Sequence, residues 1–211
     1  MSSNQVFHQP KFLKTGDTIG IISTARKISK EELLPATTFF EKQGFKVVFG
    51  TNLFCEDRQF SGTDEQRASD LQEMLDNSEV KSIICARGGY GSVRIIDKID
   101  FSNFIQNPKW ICGYSDVTVL HSHIHNLGVE TLHSIMPLNF PKDGLVNESM
   151  KSMMNALKGE RLSYLIPYHK FNRIGNTSGV ICGGNLSILY SLNSTPSDIQ
   201  TDGKILFIED L

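Results

Sequence analysis

Short apolar runs alternate with helix-like stretches through most of this chain, and that order limits the fold more than any one motif. Asp17 to Ser23 reads as a first strand, Phe45 to Phe49 as a second, Lys81 to Cys85 as a third and Lys109 to Cys112 as a fourth. Val129 to Leu132 reads as a short fifth. Between them, Ser29 to Gln43 reads as a helix, with Ser29 as N-cap, Glu32 three residues later and Gly44 as the stop. Asp64 to Leu75, Ser92 to Ile99 and Val117 to Leu127 are the next helical stretches. This order predicts an α/β fold, a doubly wound and mostly parallel sheet with helices on both faces. Such sheets bind ligands beyond the C-terminal ends of their strands.

Two turns lie at such ends. Ala86-Arg87-Gly88-Gly89-Tyr90-Gly91-Ser92 follows the third strand, and Gly113-Tyr114-Ser115-Asp116 follows the fourth. Glycines let main-chain N–H groups approach a ligand, and a helix start favours negative charge. The first turn fits neither the dinucleotide fingerprint, since Arg94 stands where a third glycine is needed, nor a phosphate loop ending in Gly-Lys-Ser/Thr. It reads as a plain strand-to-helix connector or as an anion cradle. Ser115 reads as an N-cap ahead of Asp116 or as a nucleophile, and on residue preferences alone the cap is the better reading.

The pattern changes near residue 158. Asn147 to Leu157 reads as a closing helix, then Tyr164 to Tyr168 and Ser178 to Cys182 as strands. Gly183-Gly184-Asn185 opens a short helix, and Lys204 to Ile208 is a last strand ending at Glu209. These elements divide the chain into an α/β domain over 1–160, a linker over 161–173 and the start of a smaller β-rich domain over 174–211.

Bulk properties exclude some roles. The net charge of −2 argues against a nucleic-acid partner. No apolar run is long enough for a bilayer, and Met1 to Gln5 lack a leader-like pattern, so a cytoplasmic location is expected. Cys55, Cys85, Cys112 and Cys182 form no Cys-x-x-Cys pair and read as structural thiols. His121, His123 and His125 alternate on one stretch, without the spacing of a metal motif or a third ligand, and read as surface or interface residues.

In combination, five segments resemble a known family. They are Lys14 to Ile22, Ala86 to Ser92, Gly113 to Thr118, Gly183 to Leu186 and Ile205 to Asp210, in family order and at family-like spacing from Lys11 onward. The chain resembles the LD-carboxypeptidases, serine peptidases that trim murein tetrapeptides, and is similar to the microcin C immunity peptidases. The resemblance implies Ser115 as nucleophile, Glu209 as the triad carboxylate, and an oxyanion hole from the Asp116 N–H and an N–H of Gly88 or Gly89. It implies no metal or organic cofactor, a murein peptide substrate and a homodimer. The family's histidine lies well beyond the glutamate, and none of the six histidines here matches it, so the chain is expected to be a C-terminally truncated member with little activity alone. The rival expectations are a peptidase for peptidyl-nucleotides and a non-catalytic binding remnant. A nucleotide-binding module is a distant third, weakened by Arg94.

Overall fold

The computed structural model describes residues 7–210; Met1 to Gln5, read above for a leader, lie outside them. Five strands form one parallel sheet: β1 (Thr18–Ile22), β2 (Lys46–Phe49), β3 (Val80–Cys85), β4 (Trp110–Gly113) and β5 (Leu132–His133). Their order is β2-β1-β3-β4-β5. The chain starts at β1, steps out to β2, and returns across β1 to β3. The winding direction therefore reverses between β1 and β3, which opens a crevice beyond their C-terminal ends.

The crossovers carry α1 (Lys30–Lys42), α2 (Asp64–Asp76), α3 (Ser102–Gln106) and α4 (Thr118–Asn126), and α5 (Glu148–Lys158) follows β5. Alternation along the strands splits the core in two. Ile83 and Cys85 face α2, α3 and α4 through Leu71, Phe104 and Leu120. Ile84 and Cys112 face α1 and α5 through Leu33, Phe40 and Leu157. Ser29 and Glu32 cap α1 reciprocally, at 3.2 and 2.9 Å. Thr63 and Gln66 do the same for α2.

Some elements depart from expectation. Ser92 to Ile99 is not one helix but two 3₁₀ turns, Ser92–Arg94 and Ile96–Lys98. The fifth strand is shifted: Leu132 and His133 pair with β4, whereas Val129 only bridges His8. Tyr164 to Tyr168 is not a strand. No neighbouring strand takes its N–H and C=O groups, and Leu165 is 98% exposed, so the period of apolar residues had no partner to act on.

The second sheet pairs β6 (Ile181–Asn185) with β7 (Ile205–Glu209) in parallel, joined through α6 (Leu186–Ser191). Gly183 and Gly184 lie in β6 rather than in the helix, and Asn185 is the residue that caps α6, its side chain accepting from the Ile188 N–H at 3.1 Å. The sheet is fastened to α4: the Asn185 N–H donates to Thr118 Oγ1 at 3.0 Å. Gly184 has φ +148°, and a Cβ there would stand 2.6 Å from the same oxygen, so only glycine fits against α4. No helix among the described residues is long and apolar enough to cross a membrane.

Phe40 is fully buried and its ring lies 5.6 Å from those of Phe39 and Phe140, joining α1 to the turn after β5. Phe40→Ala is expected to lower stability by about 3–5 kcal/mol. The shift of the urea midpoint, read with an unchanged m-value, is the check.

Candidate active site

β4 delivers the chain to Ser115 through an extended Tyr114, and Ser115 then takes φ +60°. A left-handed serine costs roughly 1–2 kcal/mol, so the surroundings must impose it. Ser115 opens a single 3₁₀ turn (Ser115–Val117) that runs into α4, and its hydroxyl caps nothing; the N-cap of α4 is Val117. The cap reading is thus corrected. The side chain is half-buried at the C-terminal edge of the sheet.

The glycine turn after β3 lies directly against it. A Cβ on Gly88 would stand 3.4 Å from Ser115 Oγ, so bare main chain faces the hydroxyl. The two turns are tied by Asp116, whose Oδ2 accepts from the Ser92 N–H at 2.9 Å. Asp116 is buried, and its Oδ1 has no hydrogen-bond partner among the described residues. Burial pushes its carboxyl up, while the hydrogen bonds from Ser92 and Gly91 and the charge of Arg67 pull it down.

Arg67 is the residue that sequence reasoning missed. Its side chain is fully buried under the glycine turn, and Nη1 donates to Thr24 O at 2.7 Å and Gly91 O at 3.2 Å. Its guanidinium pairs with Asp64 and stacks over Phe60 at 4.8 Å. Gly91 has φ +153°, and a Cβ there would strike Arg67 and the Ala25 backbone, at 2.7 and 2.8 Å. The glycine therefore makes room for the cation. A buried arginine on an amphipathic helix leaves only one trace in sequence, a polar residue on the apolar face beside Ala68 and Leu71.

Glu209 comes to the same end of the molecule on β7, opposite Asn185 and hence beside the α4 anchor. It is half-buried, with Oε1 unpartnered among the described residues. It makes no hydrogen bond to Ser115. Its charge acts on His133, whose ring packs edge-on against Phe207 at 5.2 Å. Asp210 turns away and accepts from Ser187 and Asn185.

The alternating histidines are not a surface set. His121 is buried: Nε2 lies 2.9 Å from Gly113 O and Nδ1 2.8 Å from Thr131 Oγ1. A carbonyl only accepts, so Nε2 carries the proton and Nδ1 accepts from the threonine. Both nitrogens are spent in holding the strand that leads to Ser115. His123 meets Ser197 Oγ at 2.9 Å, and His125 meets Lys204 at 2.7 Å. Cys85 and Cys112 are buried thiols pushed up to about 12 by desolvation, which suits packing and not nucleophilic work. A cleft of about 690 Å³ opens beside the Ser115 turn, lined by Tyr114, His133, Ser134, Asn139 and Glu148 among others.

Comparison with known proteins identifies the family. Residues 19–134 match the LD-carboxypeptidase N-terminal domain, and residues 178–211 match the LD-carboxypeptidase C-terminal domain. The chain belongs to the LD-carboxypeptidase family. A Bacillus subtilis (strain 168) protein named Probable murein peptide carboxypeptidase is 36% identical over 208 residues, covering 97% of this chain and 65% of that protein. The Escherichia coli microcin C7 self-immunity protein MccF is 29% identical over 234 residues, covering 94% and 67%. The crystal structure of an MccF-like protein from Bacillus anthracis superposes with a TM-score of 0.83 at 27% identity, covering 96% and 70%. The chain thus spans about two thirds of the length of the curated relatives it matches.

Burial depresses His121 to about 4 from its ordinary 6.5, opposed by the bond to Gly113. Its unfolded form binds a proton first as pH falls, so its stabilising contribution is whole above pH 6.5 and is lost between 6.5 and about 4. One such group gives a slope of up to about 1.4 kcal/mol per pH unit. His125, also depressed to about 4, adds to it. Urea unfolding from pH 7 to 4.5 is expected to show falling stability, with a shallower slope in His121→Gln.

Proposed function

We propose that the protein is a serine LD-carboxypeptidase that removes the terminal D-alanine of murein tetrapeptide, in an N-terminal α/β domain that carries the nucleophile and a C-terminal domain that carries the triad glutamate. The observation that carries this reading is the left-handed Ser115, set against the bare main chain of Gly88. In this mechanism Ser115 Oγ attacks the carbonyl of the diamino-acid residue before D-alanine. The oxyanion is accepted by the Asp116 N–H and an N–H of Gly88 or Gly89. The C–N bond then breaks, D-alanine leaves with the proton taken from Ser115, and water hydrolyses the ester. Glu209 orients the histidine that carries the proton, which in the family follows the glutamate in chain order. No metal or organic cofactor enters these steps.

His121 does not stand in for that base, because both its nitrogens are engaged. The 211-residue chain alone is therefore expected to release little D-alanine, since a serine without a base retains only the catalysis of binding and the oxyanion site. The assay is D-alanine release from murein tetrapeptide, with Ser115→Ala as control. Release at a typical enzymatic rate that the control abolishes would show that a histidine within these residues completes the site. The likeness to MccF favours a second reading, a peptidase for peptidyl-nucleotide conjugates. Assaying both substrate types side by side separates the two.

The apolar residues Leu206, Phe207 and Ile208 on β7 and Tyr164 to Ile166 are well exposed. They support self-association into a homodimer. Light scattering at micromolar concentration is expected to give more than the monomer mass; monomer alone would refute it.

A further inference from the structure

The crevice between β1 and β3 holds one cation with no assigned partner. The chain leaving β1 reads Ser23-Thr24-Ala25-Arg26, and its main chain is fixed: Ser23 Oγ donates to Arg26 O at 2.6 Å, and Arg26 forms an antiparallel bridge with Phe60. The side chain runs out across the glycine turn. A Cβ on Gly89 would stand 2.7 to 2.8 Å from Arg26 Cγ, Cδ and Nε, so the arginine stem lies on the bare backbone of that glycine. Gly88, one residue earlier, lies against the Ser115 hydroxyl.

The other cations around the turn are committed. Lys27 pairs with Glu56, Arg87 donates to Lys27 O at 3.2 Å, and Arg67 and Arg94 both pair with Asp64. Arg26 is exposed and makes no ion pair or side-chain hydrogen bond among the described residues. We propose that Arg26 binds the free α-carboxylate of the substrate's terminal residue and so selects a chain end over an internal peptide bond. This rests on the carboxypeptidase reading above. The substrate's carboxyl carbon is three covalent bonds from the attacked carbonyl carbon, so a group that reads it must border the nucleophile and the oxyanion turn, as Arg26 does. The planar guanidinium fork matches a carboxylate in two parallel hydrogen bonds, which a lysine does not offer.

The test uses the full 211-residue chain carrying Ser115→Ala to stop turnover. Murein tetrapeptide and its C-terminal carboxamide are titrated and followed by amide NMR shifts. The parent is expected to bind the acid roughly tenfold tighter than the carboxamide. Adding Arg26→Gln should weaken the acid to the level of the carboxamide and leave carboxamide binding unchanged. Adding Lys27→Gln, which removes a neighbouring charge of the same sign, should keep the preference. A preference that survives Arg26→Gln, or none in the parent, overturns the proposal and leaves the peptidase reading standing. If neither peptide binds to the parent, the murein carboxypeptidase reading falls and this proposal falls with it.

Discussion

The bond from the Ser92 N–H to the Asp116 carboxylate is the joint on which the candidate site depends. It connects two turns that are 24 residues apart in sequence. Without it, the glycine turn and the Ser115 turn would be independent loops at the ends of β3 and β4. With it, the residue following Ser115 fixes where the glycine main chain lies. Arg67 completes the brace from beneath by holding Gly91 O and Thr24 O. The ends of β1, β3 and β4 are thereby held as one surface, and Ser115 is kept in a backbone conformation it would not choose alone.

Burying this much charge has a physical logic. Asp116 and Arg67 are each about 1% exposed, and each keeps one polar atom without a partner among the described residues. Burial of that kind is costly unless opposite charge and hydrogen bonds offset it. Here desolvation raises the Asp116 carboxyl on balance, and the hydrogen bonds from Ser92 and Gly91, with the charge of Arg67, offset only part of it. The arrangement fixes where the two turns lie relative to each other.

Much of this was legible in the sequence because it depends on local rules. The capping box of Ser29 and Glu32, the glycine stop at Gly44 and the strand-turn junctions at Gly88 and Ser115 are encoded within a few residues. The features that were missed depend on distant partners. Arg67 acts through Thr24 and Gly91, which no periodicity announces. Tyr164 to Tyr168 has the composition of a strand, but a strand needs a neighbour, and none pairs with it among the described residues. His121 looked like a surface histidine until Gly113 and Thr131 closed on both its nitrogens. In each case the deciding interaction is long-range, and the local pattern was compatible with more than one outcome.

The anchoring of β6 on Thr118 has a consequence for how this architecture tolerates change. Glu209 is aligned through its pairing with Asn185, and Asn185 is bonded to the helix that Ser115 leads into. The alignment of Glu209 and Ser115 is therefore set largely by a contact between folded parts; of the irregular stretch from Glu160 to Val180, Val180 joins in, its carbonyl accepting from the Ile205 N–H at 2.8 Å. That stretch behaves like a cable rather than a strut. Residues inserted or lost within it would change the route of the chain while the register of Glu209 against Ser115 stayed where Thr118 puts it.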